Sequence, residues 1–298
     1  MLKLRACSLS SMKPSVKLPV AVYTPESKLK HPLHLARLMG RDLLASRELA
    51  WRLLVRDISA QYRQSFLGIF WAFIPPIVTA LGLTLANNAE VISVGETDLP
   101  YPAYVMFSMA LWQTFVEAVN GPVQAVAQAK MMLAKINFPR EAIMLAKLGE
   151  VGFSFLIKLV LIVGLFIWFQ IPVSGSVILA PVALVHLIAF GMAVGVFLSP
   201  LGAMSQDFSR GLTLLTGLWL FLTPVIFPPP QVEGTFNTLV RLNPVTPLLV
   251  TTRELATTGN VSDPSAFWWA SGIALVGLLV AWVVYRLAMP YVVERMSA

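Results

Sequence analysis

Residues 148–169 read LGEVGFSFLIKLVLIVGLFIWF, a run that carries only two charged side chains, Glu150 and Lys158. About 20 mostly apolar residues in an α-helix cross the roughly 30 Å hydrocarbon core of a bilayer, and this run is long enough to do so. Lipid offers a backbone no hydrogen-bond partners, so such a segment is stable only when its polar groups pair within the helix. The run therefore predicts a transmembrane helix.

Five further stretches have the same character, at about 66–87, 101–120, 177–203, 211–227 and 266–289. Hydrophobic residues make up 57% of the chain and charged residues 12%, about half the charged share of soluble domains. The sequence predicts an all-α membrane protein with six transmembrane helices. Its expected parts are a tail at 1–42, an amphipathic interface helix at 43–65, a transmembrane domain at 66–289 and a tail at 290–298.

Basic residues predict which side of the membrane faces the cytoplasm. The loop 88–100 has no Lys or Arg, whereas such residues precede the first stretch and fill the loop after the second: Arg47, Arg52, Arg56, Arg63, Lys130, Lys135, Arg140 and Lys147. We expect both termini and that second loop in the cytoplasm. The net charge of +7 follows this orientation pattern, so we do not expect nucleic acid as a partner.

Residues 43–63 predict an amphipathic helix on the cytoplasmic surface of the membrane. At 100° per residue one arc is polar and the opposite side is apolar: Glu48, Arg52, Arg56, Ser59 and Arg63 share the arc, and Leu43, Ala50, Leu54 and Ile58 face away. The alternative is a passive anchor that only supplies positive charge to the first span.

Residues 123–146 predict a cytoplasmic helix pair that is interrupted at 137–141. Pro139 disfavours helix at Phe138 but suits a first helical turn, where Glu141 complements the helix dipole. Phe138 and its charged neighbours are then a candidate contact for a partner groove. An ordinary helix–turn–helix connector is the alternative.

Residues 228–264 lie on the outer side and are rich in proline, yet they remain amphipathic. Four apolar residues recur at helical spacing: Phe236, Leu239, Val240 and Leu242. Two short helices that dip into the outer leaflet would bury this apolar side, and a small extracellular cap is the alternative.

Lys158 is the charged residue that lies deepest in an apolar stretch. A lysine at the bilayer centre costs about 2.5–3.5 kcal/mol on insertion scales, so it should face protein, pair with an acid such as Glu117, or line a wet path. Proton-coupled carriers use such residues, which keeps that class open as an alternative.

Several sequence motifs for nucleotide binding and catalysis are missing from the sequence. There is no G-x-x-x-x-G-K-[ST] loop, so any ATP must be bound by another subunit, and no motif indicates membrane-embedded hydrolysis. Cys7 is the single cysteine, and the three histidines are scattered. We therefore expect no catalytic residues, no metal site and no cofactor in this chain.

One further pattern runs from the predicted amphipathic helix into the first apolar stretch. Arg56-Asp57-Ile58, followed by QYRQSFLGIFW at 61–71, resembles the opening of the polysaccharide-exporting permeases of the ABC-2 type. Further matches follow in the family's order: Pro100-Tyr101-Pro102, Phe138-Pro139-Arg140-Glu141, Gln206-Asp207, Thr223-Pro224-Val225 and Asn243-Pro244. Gln206 departs from the arginine that the family commonly has there. The resemblance runs from about residue 43 to the C-terminus.

The resemblance implies a homodimer in the bacterial inner (plasma) membrane, with two ATPase subunits that bind ATP and Mg²⁺. It implies a lipid-linked glycan of O-antigen or capsule type as cargo, so this chain would be a translocase subunit and not an enzyme. The coupling segment would be Asn137, Phe138, Pro139, Arg140 and Glu141. The interface helix would act through Arg52, Arg56, Asp57, Tyr62 and Arg63.

An aromatic-lined path suits a sliding sugar polymer, and the candidates for that lining are Trp71, Tyr104, Phe107, Trp112 and Phe115. Lipid contact or helix packing is the alternative for each. The implied outer gate includes Pro224, Phe236, Asn243 and Pro244. Two rival functions remain: export of a drug or small lipid by the same superfamily, and a proton-coupled carrier or membrane-bound sugar-modifying enzyme.

Overall fold

A computed structural model describes residues 32–63, 68–91, 95, 97–135, 138–229 and 234–297. Within these ranges the regular elements are all helical, and ten of them are α-helices. They are α1 Pro32–Arg63, α2 Ile74–Asn88, α3 Tyr101–Gln128, α4 Lys130–Lys135, α5 Glu141–Trp168, α6 Ala180–Met204, α7 Gln206–Trp219, α8 Thr235–Leu242, α9 Val245–Ala256 and α10 Pro264–Ser297. Short 3-10 helices lie at Gly68–Ala72, Gly175–Leu179 and Leu220–Leu222.

The predicted all-α membrane fold is confirmed. Three described helices are long and apolar enough to cross a bilayer: Glu141–Trp168, Gly175–Met204 and Pro264–Arg295. The other three stretches fall on α3, which carries more polar residues, and on α2 and α7, which have 15 and 14 residues. Residues 223–227, at the end of the fifth stretch, are not helical. The number of crossings and their orientation stay predictions.

Helix α6 is the centre of the bundle, packed along both α3 and α10. Of the most apolar 18-residue stretch within Gly175–Met204, 56% is buried inside the protein. The corresponding stretches of α5 and α10 are each 28% buried. Glycine makes the close approach to α3 possible, because a Cβ atom at Gly195 would lie 2.4 Å from the carbonyl oxygen of Val119. The rings of Phe115 and Phe190 stack across the same contact, with their centroids 6.0 Å apart.

The chain divides into two compact units, 1–41 and 42–298. In the first unit, the structure describes only the beginning of α1. This helix starts at Pro32, within the region 1–42 that was predicted to be a tail. In the second unit, α1 buries Ala50 and Leu53. Leu54 lies so close to Gly149 that a Cβ atom there would meet its Cδ2 at 2.8 Å. The α1 helix therefore packs against the first half of α5.

Candidate functional site

Two neighbouring cavities, of about 540 and 310 Å³, lie between the end of α1, α3 and α5. They share walls at Gln61, Tyr62, Val116, Glu117 and Ser154. We call the two together the polar groove, since its further lining is rich in hydrogen-bonding side chains: Gln113, Asn120, Gln124, Lys147, Glu150, Lys158 and Thr213. Such side chains make it suited to a hydrated or hydroxyl-rich occupant.

Lys158 and Glu117 form the central ion pair of the polar groove. The Lys158 Nζ lies 2.6 Å from the Glu117 Oε1, so of the alternatives that the sequence left open, Lys158 pairs with this acid. The Lys158 side chain is 1% exposed, whereas that of Glu117 is 39% exposed to the cavity. Because a buried ammonium is unfavourable without a partner, this pair fixes α3 against α5 and leaves one carboxylate facing the groove.

Lys147 and Glu150 form a second pair at the other end of the groove, one turn apart on α5. Asn120, which also lines the groove, donates to the hydroxyl of Thr216 at 3.2 Å. Its Oδ1 is buried and accepts no hydrogen bond from the described residues. The lining of the groove therefore combines two charged pairs with neutral polar groups.

Two aromatic residues border the polar groove. Trp71 is 57% exposed, and Tyr62 packs edge-on against Phe153 with centroids 6.2 Å apart. Burial raises the pKa of the Tyr62 hydroxyl, and the carboxylates of Glu117 and Glu150 raise it further. Ring faces of this kind can pack on sugar rings while the neighbouring polar groups bind hydroxyls.

The other four candidates for the channel lining lie inside the bundle. Tyr104, Phe107, Trp112 and Phe115 are 1%, 3%, 4% and 0% exposed. The Tyr104 hydroxyl donates to the carbonyl oxygen of Phe227 at 2.9 Å. In this conformation their own chain covers them, as the helix-packing alternative requires, and lining by these four rings stays a prediction that needs the helices to separate.

The predicted coupling segment is where α5 begins. Phe138 is half-buried against the core, Pro139 is exposed and Arg140 is half-buried. Glu141 occupies the first turn of α5, as expected, and also pairs with Arg286 at 3.0 Å. Asn137 lies outside the described residues. Contact of this segment with an ATPase stays a prediction.

The predicted interface helix places its charges on the surface of α1. Arg52 pairs with Glu48 at 2.6 Å and Arg56 with Asp57 at 2.8 Å. Exposed pairs of this kind contribute little to stability. Arg63 is exposed at the end of the helix, and Tyr62 turns into the polar groove.

The predicted outer segment contains two short helices, α8 and α9, as expected. Asn243 joins them to the end of α7: its amide donates to the Leu222 carbonyl and the Thr223 hydroxyl, and its Oδ1 accepts from the Trp219 indole at 3.1 Å. Pro244 precedes α9 and is half-buried. A gating role for this segment stays a prediction.

Phe236 and Pro224, the other two residues of the implied outer gate, occupy different positions. Phe236 is 49% exposed on α8 and packs on Phe227 with centroids 5.6 Å apart. The carbonyl oxygen of Pro224 is buried and accepts hydrogen bonds from Tyr104 at 3.2 Å and from Arg253 at 3.4 Å. One lies on the surface and the other in the core.

Two arginines, one buried and one half-buried, were not singled out from the sequence as functional residues. Arg253 is 3% exposed, donates to the Ser108 hydroxyl at 2.9 Å and lies 4.2 Å from the Tyr104 ring centroid. Arg286 binds both Glu141 and Asp42. The sequence does indicate that Arg286 is unusual, because it is a cation inside the last apolar stretch. Its two partners could not be predicted, because they are far away in the sequence.

A bundle of bilayer-length apolar helices beside a polar groove defines the membrane subunit of a transporter. The sequence model of the ABC-2 type transporter family matches residues 48–255. The chain belongs to this family.

Curated relatives extend the comparison. The O-antigen export system permease protein RfbA of Myxococcus xanthus is 24% identical over 244 residues, which are 81% of this chain and 92% of the relative. A protein of the same name from Klebsiella pneumoniae is 23% identical over 230 residues, 76% of this chain and 87% of the relative. A second one from that organism is 21% identical over 68% of this chain and 78% of its own length.

Proposed function

We propose that this chain is the transmembrane permease subunit of an ATP-driven exporter that moves a lipid-linked polysaccharide of O-antigen type across the bacterial inner membrane. The family membership and the names of three relatives that cover most of the chain support this cargo. Export of a drug or small lipid and a proton-coupled carrier are not favoured by either. ATP and Mg²⁺ would be bound by the partner subunit.

The observation that carries the proposal is the polar groove beside bilayer-length apolar helices. A glycan presents hydroxyl groups on all sides and flat apolar ring faces. The exposed carboxylate of Glu117, the amides of Gln61 and Gln113 and the ring of Trp71 line one cavity with these complementary properties. None of these groups demands one particular sugar, so a polymer can advance through them.

A second copy of the chain would complete the path. Helix α7 borders the groove through Thr213 and carries three apolar residues that are mostly exposed: Leu214, Leu215 and Leu218. An exposed apolar face of this kind in a membrane protein contacts lipid or another helix. In a homodimer these faces would pack together, and the two grooves would face a shared axis.

The two ATPase subunits would bind on the side where α5 begins. Pro139 is exposed there, and the predicted orientation would put this turn and the charged surface of α1 on the cytoplasmic side of the membrane. Nucleotide-driven movement of the ATPases would shift residues 138–141. On the opposite side, α8 and α9 would open to release the glycan.

Proteoliposomes test the proposal directly. The permease, reconstituted with its ATPase, should move lipid-linked glycan to the far leaflet only when ATP is present. An ATPase whose catalytic glutamate is replaced is the matched control and should give no transport. Transport by the permease alone would instead establish a carrier, and ATP-driven transport of small drugs but not of glycan would establish the other rival.

The pair Pro139→Ala and Arg140→Ala tests the coupling segment. The double variant should form the dimer and bind the ATPase while export falls at least tenfold, because the rigid exposed turn is lost. Normal export by this variant would remove the segment from the mechanism.

A further inference from the structure

Arg286 on α10 joins three helices at the end of the bundle where α5 begins. Its Nη1 lies 3.0 Å from the Glu141 Oε1 on α5, and its Nη2 donates to the Asp42 carboxylate on α1. The Arg286 and Glu141 side chains are 19% and 8% exposed, and that of Asp42 is 36% exposed. These two ion pairs connect α10 to α5 and to α1.

The residue before Arg286 makes a second link to the same place. Tyr285 is 1% exposed, and its hydroxyl donates to the carbonyl oxygen of Arg140 at 3.2 Å. Two consecutive residues of α10 thus hold two consecutive residues of the segment 138–141. A displacement of that segment would strain both contacts at once.

Arginine is suited to this position because its planar guanidinium presents two parallel pairs of donors to two carboxylates. A lysine is a point charge on a flexible chain and cannot hold two acids in a fixed geometry. From Arg286, α10 runs back along α6 as a continuous helix to Pro264. A displacement of the Arg286 end of α10 would therefore shift this helix along its whole contact with α6.

We propose that Arg286 is a positioning residue that transmits movement of the segment 138–141 to α1 and α10, so that three helices respond together to ATP hydrolysis. This inference rests on the proposed function. It names Arg286 as the residue through which movement of the segment 138–141 reaches α10. This residue lies outside the part of the chain that the family model matches, 48–255.

The test separates coupling from folding. In the triple variant Asp42→Asn, Glu141→Gln, Arg286→Met all three charges are removed together, so no isolated charge is left in this partly buried site. Because Glu141 belongs to the predicted coupling segment, the amount of bound ATPase and the rate of ATP hydrolysis are measured for each variant, and export is expressed per ATP hydrolysed. Glycan exported per ATP should fall at least tenfold, which a purely structural role would not produce.

Arg286→Lys provides a second variant that keeps the charge and should fold. It can bind one carboxylate at a time, so we expect an intermediate loss of two- to fivefold in glycan exported per ATP. Arg295→Lys, the same change at an exposed position further along α10, is the matched control and should export normally.

Export per ATP within twofold of the unaltered protein, in either Arg286→Lys or an assembled triple variant, would overturn the inference. If the unaltered protein itself moves no glycan in the same assay, the proposed function fails and takes this inference with it. The two failures are therefore distinguishable.

Discussion

The two long sides of α3 are built differently. Toward α6 it is closed: Phe115 stacks on Phe190, and Gly195 brings the backbones into contact. Toward α5 it is partly open: the Glu117–Lys158 pair and the contact of Phe107 with Phe166, whose ring centroids are 5.7 Å apart, join the helices, and two cavities lie beside the ion pair. Close packing makes the first side a rigid support, and the polar groove on the second side is the proposed path of the cargo.

The largest effect is expected on the closed side. Gly195→Val should lower the stability of the protein by about 3 kcal/mol, because added atoms would collide with the Val119 carbonyl and overpacking cannot be relieved by a side-chain rotation. Thermal unfolding in detergent measures this. Gly164→Val on α5, where a Cβ meets nothing within 4 Å, is the control and should leave the melting temperature nearly unchanged. Equal melting temperatures for the two variants would mean that the α3–α6 contact is not tight.

The ion pair on the open side should matter next. Glu117→Gln leaves the buried Lys158 without a countercharge and should cost about 2 kcal/mol, somewhat less than a fully buried pair because the carboxylate is partly exposed. Adding Lys158→Met should restore most of that loss, since no isolated charge then remains. Thermal unfolding of both single variants and the double variant gives the coupling energy. Additive losses would show that the two residues do not interact.

Obstruction of the groove should affect export without affecting stability. Ser154→Trp fills the wall that both cavities share, and we expect export to fall at least tenfold, which corresponds to about 1.4 kcal/mol. Val160→Trp lies on the same helix, where the side chain is 67% exposed, and should export normally. Glycan surface display in a complemented deletion strain measures both. Equal export by the two variants would place the path elsewhere.

The smallest effect concerns the charge of the groove. Burial and the carboxylates of Glu117 and Glu150 raise the pKa of Tyr62 above its ordinary value near 10. A raised pKa favours the protonated form in the folded protein, so its contribution to stability is complete below about pH 10 and is lost as the pH rises further. Ultraviolet titration, with Tyr62→Phe to identify the signal, should show this late ionisation. In Glu117→Gln it should occur at lower pH, and an unchanged titration would place Glu117 too far away.

The two sides of α3 differ in how much of their structure could be predicted from the sequence. The pairing of Lys158 with Glu117 was predictable because a cation in an apolar helix needs an acid, and few acids were within reach. The packing of Tyr104, Phe107, Trp112 and Phe115 was not, because residue type alone does not tell which face of α3 meets which neighbour. That information comes from contacts far apart in the sequence, such as those of Phe115 with Phe190 on α6 and of Phe107 with Phe166 on α5.

The same contrast holds at the ends of the bundle. Proline and apolar spacing predicted the short helices α8 and α9, since both signals are local. The contact between Arg286 and Glu141 joins residues that are 145 positions apart. A single sequence carries no signal for such a pairing, beyond the presence of a charge in an apolar stretch.

Site-specific photo-cross-linking tests most directly whether cargo passes along the open side of α3. In a Cys7→Ser background, a thiol-attached photoprobe would be placed at Gln113, which lines the groove, and at Val160, which faces outward. With export stalled by a non-hydrolysable ATP analogue, we predict that the probe at Gln113 captures the lipid-linked glycan at least ten times more often than the probe at Val160. Equal capture at the two positions, or capture of glycan only at Val160, would contradict a path through the polar groove.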